Sequence, residues 1–248
     1  NRSGLPVYSL DLPSGIDADT GQILGTAVRA THTITFARYK PGLLQGPGAE
    51  HAGQLHHVAL GIFDEGIRDA AGHCASILDE EQVRVTLPPR KHDAHKYNAG
   101  HALIVAGRDG KLGAAQLAAL GALRTGAGLV TLASWPECRD ALRQLAPEIM
   151  TTTLEHDTKS MPSLMVKKAA VGIGPGLGVD ERARTLIEWL ALKAPIPVIL
   201  DADAITCFAG RPECLKQAPA PRIVTPHAGE LSALLNEPVA SLQNDRLT

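Results

Sequence analysis

The sequence predicts an α/β protein whose parallel strands are covered by helices on both faces. Three observations carry that reading. Short β-branched runs alternate with longer stretches of helical apolar period. Several of the runs end in tight, polar, glycine-rich loops. The chain is 44% hydrophobic but only 3% aromatic, with 24 glycines, a composition that suits close helix-on-sheet packing better than a β-sandwich. At 248 residues there is room for one large domain or two modest ones.

The elements follow in order. Leu5 to Leu12 is a β-like run, and residues 13–25 are turn-rich through Pro13, Gly15, Gly21 and Gly25. His32-Thr33-Ile34-Thr35-Phe36 is β-branched and aromatic, a strand by propensity. Lys40-Pro41-Gly42 breaks the segment after it, and Leu55 to Leu60 is another short strand. Residues 64–92 turn charged and read as a linker with one short helix around 79–85.

A second pattern opens at His101. Ala102 to Ala106 is a strand, 113–126 a helix with an apolar face, Leu129 to Ala133 a strand, and 136–145 a helix. Ala169 to Ile173 is a strand, 180–193 an amphipathic helix, Pro197 to Leu200 and Arg222 to Thr225 are strands, and Glu230 to Leu235 starts a helix. No internal repeat is present. The expected domains are 1–75 and 93–248, joined by a linker over 76–92. The chain opens on Asn1 with a strand following almost at once, so it reads as a central fragment.

Composition excludes some functions. The net charge is −2 and the basic residues are scattered, so there is no electrostatic footprint for nucleic acid or a membrane surface. No apolar run is long enough to span a bilayer. The four cysteines, Cys74, Cys138, Cys207 and Cys214, are widely spaced, which fits reduced thiols in a cytosolic protein.

In a doubly wound sheet, ligands sit outside the carboxyl ends of the strands. The loops after Ala106, Ile173, Leu200 and Thr225 would open on that edge. Gly174-Pro175-Gly176 offers backbone N–H groups with no side chain to obstruct a phosphate or ribose. Asp201 and Asp203 end a buried strand, where a carboxylate needs a cation, an amide or a ligand hydroxyl; helix capping is the other role open to them. His227 suits hydrogen bonding to a substrate amide or hydroxyl, or a structural role. Asp11 and Ser14 could present a carboxylate to a ribose or nicotinamide-like group and an oxygen to a monovalent cation, or merely form a turn. His56-His57 and His92-x-x-His95 have metal-like spacing but no arranged partners, so zinc is not expected.

Taken together, these motifs resemble a known family. Ser9 to Gly15 with Asp17-Ala18-Asp19-Thr20-Gly21, His32 to Phe36 and Lys40 to Leu44 is similar to the C-terminal part of the NAD(P)H-hydrate epimerase domain. His95-Lys96, Gly113-Ala114-Ala115, Leu123 to Val130, Gly174 to Gly178, Leu200 to Ala204 and Thr225 to Glu230 resemble the ADP-dependent NAD(P)H-hydrate dehydratase domain. The order is that of bifunctional NAD(P)H-hydrate repair enzymes.

The resemblance implies the C-terminal part of a Rossmann-like epimerase domain followed by a truncated ribokinase-like three-layer α/β/α domain. The first interconverts R and S hydrates of NADH and NADPH; the second dehydrates the S form, coupled to ADP, or ATP in some relatives. By position, Asp11 matches a substrate-binding residue and Ser14 a potassium ligand. Ala114, Ala115, Gly174, Gly176 and His227 match positions that hold the hydrated nucleotide. Potassium and magnesium are the implied ions, small nucleotides the implied ligands, and a cytoplasmic homo-oligomer the implied setting.

There are departures. The family's Asn-Asn-Gly-Gly-Asp-Gly-type loop, its epimerase catalytic Asp, its AMP loop and its Gly-Thr-Gly-Asp motif do not occur here, and Ala228 stands where Pro is favoured. No catalytic residue is therefore named, and the piece alone is expected to be inactive. The competing expectations are a ribokinase-like kinase for a vitamin precursor and a non-enzymatic binding module.

Overall fold

Parallel pairing runs through both sheets of the computed structural model, which describes residues 4–62, 75–87, 89, 92, 95–155 and 157–244. Residues 63–74, Cys74 among them, and residues 88, 90 and 91 of the expected linker lie outside the described residues. The contacts divide the chain into two compact units, Asn1–Leu87 with Ala240–Thr248 and Pro88–Val239.

The first unit holds a three-stranded parallel sheet of β1 (Tyr8–Leu10), β2 (His32–Phe36) and β3 (Gln54–Val58), in that order. The strand expected over residues 5–12 shrinks to three residues because Asp11 turns into the left-handed region at φ 69°, which no strand continues. Ala37 (φ 59°) and Leu60 (φ 54°) end the next two runs in the same way. Helix α1 (Gly46–Ala52) was not expected. Its two glycines and a proline are poor helix formers, but Pro47 sits at the first turn, where its missing N–H costs nothing. Helix α2 (Glu80–Thr86) begins where Asp79 accepts the Gln82 N–H at 2.8 Å.

The second unit is doubly wound. Its strands are β4 (His101–Val105), β5 (Leu129–Ser134), β6 (Met150–Thr153), β7 (Ala170–Ile173), β8 (Val198–Leu200) and β9 (Arg222–Val224). They pair in the order β6-β5-β4-β7-β8-β9, parallel throughout. Strand β6 escaped the sequence reading because Met-Thr-Thr-Thr is a half-exposed edge run without apolar alternation.

Each face carries its own core. Helices α3 (Leu112–Arg124) and α4 (Arg139–Leu142) bury Ala115, Ala119 and Leu142 against Ile104, Val130 and Leu132. The helix expected over 136–145 is only α4 preceded by a 3-10 turn at Pro136–Cys138. The opposite face packs Leu103, Val105 and Ile173 against α6 (Glu181–Lys193), with α5 (Met161–Leu164), α7 (Asp203–Thr206) and α8 (Ala228–Leu235) also on it. Leu186, Ile187 and Leu190 of α6 are almost fully enclosed, each worth about 1.5–3 kcal/mol relative to exposure. Asp180 starts this helix by accepting the Ala183 N–H at 3.0 Å, and the guanidinium of Arg222 closes its far end, donating to the carbonyls of Ala191 and Ala194. A short α9 (Val239–Asn244) follows. Among the described residues no helix is long and apolar enough to cross a membrane.

Candidate functional site

The strand order of the larger sheet reverses between β4 and β7. From β4 the chain winds outward to β5 and β6, then returns to lay β7, β8 and β9 on the other side. A reversal of this kind, outside the carboxyl ends of the strands, is the place where open α/β sheets take ligands.

The loops leaving β4 and β7 are laced together. The Gly107 N–H, after β4, donates to the Pro175 carbonyl at 2.8 Å. The Gly107 carbonyl accepts from Ser134 Oγ, at the end of β5, at 2.8 Å. Trp135 Nε1 donates to the Leu177 carbonyl at 3.0 Å, so the indole fixes the β7 loop from beneath. The Arg182 guanidinium lies 4.3 Å over that indole.

Gly174 adopts φ 125°, and a Cβ there would lie 1.8 Å from the Asp201 carbonyl oxygen. Only glycine fits this approach of two backbones. The Asp201 N–H donates back to Ile173 at 3.0 Å, and its Oδ1 accepts from Thr225 Oγ1 at 2.7 Å. The loops after β7, β8 and β9 thus share one hydrogen-bonded rim.

The carboxylates and the histidine all have partners within the protein. Asp203 does not cap its own helix; its Oδ2 accepts the Gly178 N–H at 2.8 Å and holds the glycine loop in place. His227 caps α8. Its Nδ1 accepts the N–H groups of Gly229 and Glu230, while Glu230 accepts the His227 N–H at 3.0 Å. With Nδ1 accepting, the neutral ring carries its proton on Nε2, 3.3 Å from Glu230 Oε1. The side chain remains 73% exposed, so its ring face is available above the rim.

Among the expected binding residues, Gly174 and Gly176 share this rim with the β4 loop. Ala115 is fully buried behind Gly107, while Ala114 is exposed on the first turn of α3. His227 follows Thr225 at the same edge.

Asp11 and Ser14 belong to the smaller unit. Asp11 is not in a side-chain turn; that conformation belongs to Asp17, whose Oδ1 accepts from the Thr20 N–H and hydroxyl. Instead Asp11 Oδ1 accepts the Phe36 N–H at 3.2 Å and the Lys40 ammonium. Burial works against ionisation, but the bonds from Lys40, Phe36 and Thr35 hold the carboxyl below its ordinary value. Sequence reasoning took Lys40 as a strand breaker and missed this pairing, which depends on strand register. Ser14 is exposed, and its carbonyl accepts the Val28 N–H at 2.9 Å.

The histidine pairs have other partners. His56 Nε2 lies 3.1 Å from His32 Nδ1, His57 Nε2 lies 2.9 Å from the Ala37 carbonyl, and the His95 N–H donates to Asn98. Among the described residues no three His, Cys, Asp or Glu side chains cluster to hold a metal. Cys138, Cys207 and Cys214 are free thiols.

Two family profiles match the chain. The family profile described as NAD(P)H-hydrate dehydratase matches residues 102–248, and that described as YjeF-related protein N-terminus matches residues 1–42. The bifunctional NAD(P)H-hydrate repair enzyme Nnr of Thermofilum pendens is 35% identical over 264 residues, covering 100% of this chain and 48% of that one. The Nnr of Vibrio cholerae is 35% identical, covering 99% and 48%. The chain thus spans about half the length of the curated relatives it matches. The crystal structure of an ADP/ATP-dependent NAD(P)H-hydrate dehydratase from Bacillus subtilis, co-crystallized with ATP/Mg2+, superposes with a TM-score of 0.58 at 36% identity, covering 68% of this chain and 58% of that one.

Proposed function

The chain belongs to the NAD(P)H-hydrate dehydratase family, and from that premise we propose that it repairs hydrated NADH and NADPH. In this reading the larger unit takes part in ADP- or ATP-dependent loss of water from the S hydrate. The smaller unit takes part in interconversion of the R and S forms. The observation that carries the reading is the hydrogen-bonded rim at the strand reversal, where Gly107 meets Pro175 and Gly174 meets Asp201.

Each residue then has a physical task. Gly174 and Gly176 let the nucleotide approach the backbone; Ala114 keeps the opposite wall low, and Ala115 supports it from behind Gly107. The exposed ring of His227 contacts the nicotinamide portion while its Nδ1 stays committed to the cap. The nucleoside phosphate, when bound, supplies the free energy to which water loss is coupled. The rim fits such a group because Asp201 and Asp203 each give one carboxylate oxygen to the protein and, among the described residues, keep the other without a hydrogen bond, which also suits a nucleotide-bound magnesium.

In the smaller unit, Asp11 accepts from a substrate hydroxyl or amide, and Ser14 offers its hydroxyl to potassium. The complete protein is read as a cytoplasmic homo-oligomer acting on small nucleotides. The test is recovery of NADH absorbance from hydrated NADH, with and without ADP, using the product of the full reading frame that carries this chain. ADP-dependent recovery supports the reading; its absence refutes the dehydratase role.

A further inference from the structure

Two cations lie directly on the glycine loop, and neither has a task in the reading above. The Arg108 guanidinium packs against Gly178, where a Cβ would meet Nη1 at 2.6 Å. Lys111 packs against Gly176, where a Cβ would meet the lysine Cβ at 2.9 Å. The absence of side chains at 176 and 178 is therefore what lets both basic residues lie across the β7 loop from the β4 loop.

Among the described residues, Arg108 and Lys111 form no ion pair, although Asp109 stands between them in sequence. The nearby carboxylate of Asp203 is held by the Gly178 N–H. The Gly176 N–H meets no acceptor among the described residues. Arg108 is half-buried and Lys111 exposed, so one charge is partly desolvated and the other can swing toward a ligand. A planar guanidinium, a flexible ammonium and a backbone N–H on one glycine loop match the donor needs of linked phosphates.

We infer that Arg108 and Lys111 bind the pyrophosphate of the dinucleotide, gripping it at the β4–β7 reversal. This deepens the repair reading and rests on it for the substrate's identity. The chemistry recognised is a diphosphate anion; the nicotinamide end contacts the rim elsewhere.

The test uses the 248-residue chain with inorganic pyrophosphate and ADP-ribose as probes, and nicotinamide riboside as the phosphate-free comparison. Binding is followed by calorimetry and by amide shifts at Gly174, Gly176, Leu177 and Gly178. Arg108→Gln and Lys111→Gln should each weaken both anionic probes about tenfold, as expected for one charge-assisted contact, and the double variant more. Added salt should weaken binding to the wild type more than to the double variant. Nicotinamide riboside should be unaffected by either change. Arg124→Gln, at the far end of α3, serves as the control and should bind like the wild type. Circular dichroism of each variant confirms that the fold is intact.

Wild-type affinity for pyrophosphate in the Arg108 and Lys111 variants would overturn the inference, as would failure of the wild type to bind either anionic probe. ADP-dependent NADH recovery with an unaltered response to these substitutions would sink the inference alone. Charge-dependent pyrophosphate binding without recovery would keep the anion site and sink the repair reading.

Discussion

Lys40 and Asp11 form an ion pair at the end of two neighbouring parallel strands. The same ammonium reaches the Phe36 carbonyl at 2.9 Å and Thr35 Oγ1 at 3.3 Å, so its three donors are directed and the carboxylate is held on one side. Asp11 also sits at φ 69°. A non-glycine residue rarely adopts that conformation, and sites that impose it are often functional.

Removing the ammonium tests the pairing through pH. The folded-state value of Asp11 is lowered, so its stabilisation is complete at neutral pH, above the unfolded value, and is lost as pH falls through the folded value. Lys40→Met should destabilise at neutral pH by no more than about 1 kcal/mol, because the pair is partly solvated. The difference between variant and wild type should shrink at acid pH. Urea unfolding at several pH values checks this; a pH-independent difference would count against the pair.

At Gly174 the approach of two backbones leaves no room for a methyl group. Gly174→Ala should cost about 3 kcal/mol or more, from strain and the clash with the Asp201 carbonyl. Denaturant midpoints measure it.

For His227, capping and ligand contact separate by substitution. His227→Ala should lose about 1 kcal/mol of stability, and His227→Asn should regain most of it because its side-chain oxygen can still cap α8. Nucleotide binding should fall in both. Equal binding by His227→Asn and wild type would mean that the histidine is only a cap.

The carboxylate that holds the glycine loop makes a similar pair. Asp203→Ala strands the Gly178 N–H and should cost about 1–3 kcal/mol, while Asp203→Asn keeps an acceptor and should cost less. Thermal melts distinguish them.

How much of this was legible before coordinates depended on the range of the interactions. Strands β2, β4, β7 and β8 announced themselves through local β-branched or apolar runs bounded by glycine, proline or aspartate, and the glycine loop and the two aspartates were visible as strand ends. Strand β6 was not, because an edge run of threonines carries no alternation. Helix α1 was hidden by glycines whose local propensity opposes the helix. At the candidate site the sequence named the polar strand ends but not their partners. That Asp203 faces Gly178, that Thr225 faces Asp201 and that Lys40 faces Asp11 are matters of register and crossover, set by elements up to 29 residues apart.

The central claim is that the nicotinamide nucleotide binds at the reversal between β4 and β7. Hydrogen exchange of the chain with and without hydrated NADH tests it most directly. The account predicts added protection at residues 107–111, 174–178 and 201–203. Protection confined to the cleft that Thr153, Glu155, Ser160 and Leu164 line beside β6, or none along the β4–β7 rim, would contradict it.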